Sequence, residues 1–182
     1  MNAQILSKLN NFTKKRLFEL AGILLIVSNL FLVASIFTYS PSDPNFIYTP
    51  ENTEIKNIGG FYGSVISDFF LQAIGLISIL LVITLLSWGY KLLKKQPINN
   101  FSVKTFFLII YIISGTTFIN IIFNESYLLV DNGNGGFVGN IIKEKIYNFF
   151  PLIQSEYSVY FLILMTLIFF ILSLDLKINE IN

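Results

Sequence analysis

Four long apolar segments alternate with polar segments along the chain. They run from Leu20 to Tyr39, from Leu76 to Leu93, from Val103 to Phe123 and from Val159 to Leu174, and their interiors carry no charged residue. About 20 apolar residues of helix are needed to cross the hydrocarbon core of a bilayer. The pattern therefore predicts four transmembrane helices.

The polar segments before the second and fourth apolar segments share one plan. The two stretches are NIGGFYGSVISDFFLQAIG, residues 57–75, and NGNGGFVGNIIKEKIYNFFP, residues 132–151. At an offset of 76 residues their glycines coincide, and apolar residues follow at spacings of one, three and four, as one face of a helix requires. Gly75 and Pro151 then interrupt the pattern. We predict amphipathic helices over residues 61–74 and 137–150.

The aligned glycines allow two roles that do not exclude each other. They can cap and turn the chain before each amphipathic helix. Their small-xxx-small spacing also permits close contact between helix backbones. The glycines in question are Gly59, Gly60 and Gly63 in the first copy and Gly135, Gly136 and Gly139 in the second.

The predicted fold is therefore an all-α membrane protein with four transmembrane helices. The helices form two repeated hairpins, and each hairpin has an outward amphipathic helix before its second span. Internal repeats of this kind also occur in transporters.

Basic residues indicate the orientation of these helices. Lys14, Lys15 and Arg16 precede the first span, and four lysines surround the connection between the second and third, whereas the connection over residues 40–75 carries one lysine and four acidic residues. The positive-inside rule places both termini in the cytoplasm. We thus expect a cytoplasmic basic tail over 1–16, a membrane domain over 17–176 and the cytoplasmic start of a linker over 177–182.

A cleaved signal peptide is the alternative interpretation of the first span. The stretch from Val33 to Ser35 is a possible cleavage site, and cleavage would leave three spans. The apolar run continues through Ile36 and Phe37, however, and three further spans follow. A retained helix is the favoured interpretation.

Composition narrows the class of function. Hydrophobic residues make up 54% of the chain and charged residues 13%, and the net charge of +1 offers no concentrated basic face for nucleic acid. The chain has no His and no Cys, which removes the commonest general base, the thiol nucleophile and two main metal ligands. No phosphate-binding loop motif is present. We expect no catalytic, cofactor or metal site.

Four charged residues outside the apolar cores are candidates for boundary or partner contacts. Arg16 and Glu19 lie three apart on one helical face, where they can pair with each other, reach lipid headgroups or contact a partner. Asp43 precedes a proline and is expected to shape the loop. Asp68 is expected on the polar side of its amphipathic helix, either solvated or in contact with another protomer.

Three motifs, in their order along the chain, resemble a known family. They are Arg16-x-x-Glu19-x-x-Gly22, YSPSDP over residues 39–44 and NIGGFYGSVISD over residues 57–68. Together they are similar to the amino-terminal four-helix membrane domain of the FtsK/SpoIIIE DNA translocase family, over roughly residues 14–176. The second hairpin departs from the family pattern, because FFPLIQSEYS stands where another glycine-rich approach to the last span is expected.

The resemblance implies a membrane-anchoring and assembly domain of a DNA translocase that acts in cell division and chromosome segregation. It implies a multi-pass protein of the bacterial inner membrane, located at the division septum, with the ATPase motor in a separate C-terminal region. The implied partners are membrane lipid, further copies of the chain, as a hexamer, and other division proteins. No direct contact of this region with nucleic acid is implied.

A small transporter or channel subunit built from a duplicated hairpin is the alternative function. A transport pathway would need a polar stripe along several spans. Such a stripe, or else ordinary hydrogen bonds between helices, is offered by Ser28, Asn29, Ser35, Ser78, Thr84, Ser114, Thr116, Thr117 and Asn120.

Overall fold

The structure is a computed structural model that describes residues 3–49, 54–123, 129, 132–149 and 156–175. This part of the chain is helical apart from its turns and loops. The helices are α1 (Ala3–Phe37), α2 (Gly60–Ile74), α3 (Ser78–Leu93), α4 (Phe101–Ile122), α5 (Gly136–Phe149) and α6 (Glu156–Ser173), with a 3₁₀ turn at Gly75–Ile77 between α2 and α3. Phe150 and Pro151, the predicted end of the second amphipathic helix, and residues 177–182 lie outside the described residues.

Three helical stretches of the described chain have the length and apolar character to cross a membrane. They are Ser7–Phe37, Gly60–Leu93 and Phe101–Ile122, and the shorter apolar helix Tyr157–Ser173 follows. The second stretch is long because α2, the 3₁₀ turn and α3 follow one another without a loop. An all-helical architecture with three long apolar helices and one shorter one agrees with a domain of four spans.

Helix α1 begins earlier than the apolar pattern indicates. Residues 3–16, expected as a separate basic tail, lie in the same helix as the first span. No glycine or proline occurs between residue 3 and Gly22, so nothing in the local sequence ends the helix at the membrane boundary. The helix ends at Phe37, shortly before Pro41.

The helices pack as two pairs. α1 packs along α3, and α4 packs along α6, while α2 lies on α1 and α5 lies on α4. Gly22 lets the first pair approach closely, since a Cβ there would lie 2.9 Å from the carbonyl oxygen of Gly89. The pairs meet around a buried cluster of Ile77, Tyr111 and Ile119.

Polar side chains inside the spans bond to neighbouring helices. The Asn29 amide donates to the carbonyl oxygen of Val82 at 2.8 Å, which joins α1 to α3. The Thr166 hydroxyl donates to the Ser114 hydroxyl at 3.0 Å, which joins α6 to α4. A lipid environment offers no alternative partner for these groups, so such bonds favour one arrangement of the helices.

Helix α2 turns its small residues toward the protein. Its buried residues include Gly63, Ser64 and Ser67, whereas Tyr62 and Phe69 are 73% and 67% exposed. The apolar face predicted from periodicity therefore does not form the contact with α1. Small side chains allow the two backbones to approach, and the aromatic side chains are left on the outside of the chain.

Two sides of the bundle are distinguished below. The loop side contains α2, α5 and residues 38–59. The basic side contains residues 14–19, residues 94–100 and Asp175, which follows the end of α6.

Candidate functional site

On the loop side, Gly59 and Gly63 hold the start of α2 against α1. A Cβ at Gly63 would clash with the Asn57 side-chain oxygen and lie 3.0 Å from the Ser35 hydroxyl oxygen. A Cβ at Gly59 would lie 3.0 Å from the same hydroxyl. The buried Asn57 amide in turn donates to the backbone carbonyl of Ser35 at 2.8 Å. The absence of side chains at both glycines is therefore required by the contact itself.

Asp43 fastens the loop that leads to this contact. Its carboxylate is buried and accepts hydrogen bonds from the backbone N–H groups of Lys56 at 3.0 Å and Asn57 at 2.8 Å. Because these bonds join the two ends of the loop, they keep Asn57 in position against α1. The sequence motif predicted a role in loop architecture, and the structure shows which backbone groups the carboxylate binds.

Asp68 has partners within its own chain. Its two carboxylate oxygens accept hydrogen bonds from the Tyr39 hydroxyl at 3.1 Å and from the Asn45 amide at 3.0 Å. The aspartate thus ties α2 to the segment that leaves α1. This role differs from both sequence-based interpretations, which were solvation and contact with another protomer.

The second copy repeats the contact between a glycine pair and the preceding span. A Cβ at Gly139 would clash with the backbone carbonyl of Thr116 on α4. A Cβ at Gly135 would lie 2.8 Å from the Cβ of Asn120 on the same helix. The Lys143 ammonium donates to the Asn120 carbonyl at 3.2 Å. α5 therefore begins against α4 in the way that α2 begins against α1.

The start of α5 also docks on the end of α2. The backbone N–H of Leu76 donates to the carbonyl of Asn134 at 2.9 Å, and the Asn132 amide donates to the side-chain oxygen of Gln72 at 2.8 Å. Gly75 has φ +57° and faces the Asn134 carbonyl so closely that a Cβ would clash with it. Gly136, at φ +67°, has the Ala73 carbonyl oxygen 2.8 Å from where its Cβ would be. This junction joins the two hairpins backbone to backbone.

The pattern of the sequence missed this junction. It indicated Gly75 as a helix breaker, and the 3₁₀ turn that begins there agrees with that. That the second glycine turn fits against Gly75 depends on how two distant segments meet, and the linear pattern carries no signal for it.

On the basic side, Asp175 is the centre of a buried cluster. It forms ion pairs with Lys91 and, at 3.6 Å, with Lys104, and it accepts a hydrogen bond from the Asn99 backbone N–H at 2.8 Å. The side chains of Asp175 and Lys91 are only 6% and 9% exposed. Burial by itself would raise the pKa of the Asp175 carboxyl, but the hydrogen bonds from Lys91 and Asn99 and the two lysine charges together hold the pKa below its ordinary value.

The carbonyl groups at the end of α6 are bound by side chains from α3 and α4. Trp88 donates its indole N–H to the Ser173 carbonyl at 2.8 Å, Ser87 donates to the Leu174 carbonyl, and Lys104 donates to the Leu172 carbonyl. The last carbonyls of a helix lack partners within the helix. These three donors satisfy them and fix the end of α6 in place.

Sequence reasoning assigned Lys91 and Lys104 to membrane orientation alone and missed their pairing. The available signal was Asp175, an acidic residue directly after the last span on a side of the molecule otherwise rich in lysine. The spacing of 84 residues between Lys91 and Asp175 gives no local pattern that would pair them.

Arg16 and Glu19 form an exposed ion pair at the start of the first apolar segment. The guanidinium and carboxylate atoms are 2.6 Å apart, and Lys95 approaches the same carboxylate at 3.6 Å. The hydrogen bond from Arg16, followed by the charge of Lys95, lowers the pKa of Glu19. Exposed pairs of this kind contribute little to stability. Within the described residues, no group of three or more His, Cys, Asp or Glu side chains is placed to hold a metal ion.

Comparison with known proteins gives the class of this helical membrane domain. Residues 14–181 match the family described as the 4TM region of DNA translocase FtsK/SpoIIIE. The chain therefore belongs to this family and is a multi-pass membrane domain of the FtsK type. The match covers the membrane region and not the motor domain.

Individual relatives agree with the family assignment. The chain is 27% identical over 128 residues to a DNA translocase FtsK of Bradyrhizobium diazoefficiens, which covers 70% of this chain and 15% of that protein. It is 30% identical over 86 residues to one of Rhizobium meliloti, covering 47% and 10%, and 26% identical over 143 residues to one of Vibrio parahaemolyticus, covering 75% and 13%. The chain thus spans about a seventh or less of the length of these relatives. No solved structure matches it.

Proposed function

We propose that this chain is the membrane anchor and assembly domain of a DNA translocase that acts in cell division and chromosome segregation. The observation that carries the proposal is the fixed end of α6. Trp88, Lys91 and Lys104 bind the residues from Leu172 to Asp175, so the segment after Asp175 leaves the bundle from a rigid point. A pull on that segment is then shared by α3, α4 and α6, as an anchor requires.

The bonds inside the spans favour an anchor over a transporter. Asn29, Ser114 and Thr166 bond between neighbouring helices, and Thr84 lies 3.1 Å from the Tyr111 hydroxyl on α4. A transport pathway would need such groups free to face a common channel. Polar groups that are already paired stabilise a packed bundle instead.

The proposed orientation has both termini in the cytoplasm of a bacterium and the loop side outside the inner membrane. On this basis the two hairpins are a duplicated unit, with α2 and α5 as its outward helices. The chain has no cysteine, so single cysteines can report the orientation. In spheroplasts, a membrane-impermeant maleimide should label Lys56→Cys and leave Lys8→Cys unlabelled until the membrane is permeabilised. The reverse pattern would refute the orientation.

Localisation and complementation test the function. The chain, fused to the linker and motor of a related translocase, should collect at the septum of dividing cells and restore the division of cells whose own membrane domain is deleted. An unrelated four-helix membrane protein carrying the same linker and motor is the control. An even distribution around the membrane, with no better rescue than the control, would overturn the proposal.

Assembly is measured separately, by native mass spectrometry of the chain in nanodiscs. We expect an oligomer, and the family relationship favours six copies. A chain that stays monomeric over a wide range of concentration would show that assembly is not a property of this domain.

A further inference from the structure

The two hairpins meet through a contact that runs in one direction. The end of α2 receives the start of α5, through Gly75, Gly136 and the bond between Leu76 and Asn134. The opposite contact, between the end of α5 and the start of α2, is not made within the described chain. Ile58, before α2, is 77% exposed, and Phe149, at the end of α5, is 78% exposed.

The start of α2 is open where the start of α5 is filled. Gly60 corresponds to Gly136 at the offset of 76 residues, and both have positive φ, at +61° and +67°. A Cβ at Gly136 would be crowded by Ala73 and Gly75, whereas a Cβ at Gly60 would meet no described atom within 4 Å. The glycine turn of the first copy therefore has the shape of a docked turn without the segment that docks.

The geometry points to a second copy of this chain as the occupant. We propose that the end of α5 in one copy docks on the Gly59–Gly60 turn and the adjoining Ile58 of the next copy, so that copies join head to tail. The contact repeats between chains the one that joins α2 to α5 within a chain. This inference rests on the proposed function, because it specifies the surface through which the assembly domain assembles.

Symmetry and surface chemistry support this choice of partner. Both surfaces belong to every copy, and they are different from each other, so the contact is heterologous and a chain of such contacts closes into a ring when its rotation allows. Both also expose large apolar side chains, Ile58 and Tyr62 on one and Phe149 on the other. Alternating α2 and α5 helices would then form a continuous rim on the loop side.

The repeat also shows where the two contacts differ. Proline at position 151 replaces Gly75, so the backbones cannot approach as closely as they do within the chain. We expect side chains to make most of the contact between copies. The counterparts of the bonded pair Asn132 and Gln72 are Lys56 and Asn148, which are both exposed.

Disulfide cross-linking in the bilayer tests the inference, because the chain has no cysteine of its own. Two differently tagged copies are co-expressed, one carrying Lys56→Cys and the other Asn148→Cys, and are then oxidised in membranes. The pair Ile58→Cys and Phe149→Cys is tested in the same way. The positive control is Asn132→Cys with Gln72→Cys in one chain, where the side chains already touch.

The expected result is a product of twice the 20.7 kDa chain mass that contains both tags. Neither single variant should form it alone, and a chain carrying both cysteines should give a ladder whose largest member is the ring. Glu144→Cys in place of Asn148→Cys is the matched control, since one helical turn of about 5.4 Å exceeds the tolerance of a disulfide.

Three outcomes would overturn the inference. Dimers of Lys56→Cys alone or Asn148→Cys alone would show a two-fold contact, and cross-links confined to one chain would show that the bundle closes on itself. Absence of both cross-links, while native mass spectrometry shows an oligomer, would reject this surface and leave the proposed assembly standing. A monomer by native mass spectrometry would reject both, and the circular dichroism of each variant verifies that it is folded.

Discussion

Replacing Asp175 by Asn should strongly destabilise the bundle. The aspartate is buried, pairs with Lys91 and lies 3.6 Å from Lys104. Asn keeps an acceptor for the Asn99 N–H but removes the negative charge that two lysines face. Breaking a buried ion pair by removing one partner costs about 3–5 kcal/mol. The cluster lies at the boundary of the bundle, so we expect about 3 kcal/mol, which is roughly a hundredfold change in the unfolding equilibrium.

A second variant separates the pair from its surroundings. Lys91→Met removes the buried ammonium, and the double variant with Asp175→Asn removes both charges. If the two side chains act on each other, the double variant should lose about 1–3 kcal/mol less than the sum of the single variants. Asp175 stays close to Lys104 in the single Lys91→Met variant, so that variant should be the less damaging of the two.

Unfolding in mixed micelles with increasing SDS measures these differences. Trp88 is the single tryptophan of the chain and donates to the Ser173 carbonyl, two residues before Asp175, so its fluorescence reports on this cluster. Far-ultraviolet circular dichroism follows the helices as a whole, and coincidence of the two curves supports a two-state analysis. A loss below about 1 kcal/mol for Asp175→Asn, or strict additivity in the double variant, would refute the reasoning.

Three further predictions concern single groups. Because the folded pKa of Asp175 lies below its unfolded value, the stability it contributes is present above about pH 4 and is lost as the pH falls through the folded pKa, so Asp175→Asn should flatten the acid limb of a stability–pH profile. Gly75→Ala should cost at least about 1 kcal/mol more than Gly60→Ala, because both have positive φ but only Gly75 is in close contact; equal losses would contradict the junction. Asn29→Leu should cost about 0.6–1.7 kcal/mol through its lost bond to α3, whereas exposed Ser28→Ala should stay within about 0.5 kcal/mol of the parent in the same SDS titration, and a reversed order would argue against that bond.

Helix positions were largely predictable because burial in a bilayer selects composition over a whole span. The predicted second segment, Leu76–Leu93, lies in the 3₁₀ turn and α3, and the third, Val103–Phe123, matches α4 to within two residues at each end. The start of α1 was not predictable from hydropathy. Polar residues 3–16 continue the helix because helix formation needs no apolar face when a long helix is already nucleated next to it.

Roles of single residues were predictable only where the partner is close in sequence. Arg16 and Glu19 are three residues apart, and their ion pair follows from helical spacing. Asp68 was placed correctly on α2, but its bonds to Tyr39 and Asn45 depend on how the loop folds over that helix. Periodicity identified an apolar face on α2 and could not show that the glycine and serine face is the one that touches α1.

The sequence by itself determined the membrane character, the helical class and the repeated glycine plan. These follow from runs of apolar residues and from local spacing, which act over one helix at a time. Only the tertiary structure decided that Lys91, Lys104 and Asp175 form one buried cluster, and that the turn at Gly136 docks against Gly75. Both contacts join segments about 60 to 84 residues apart, and their energy depends on distances between helices that no local pattern contains.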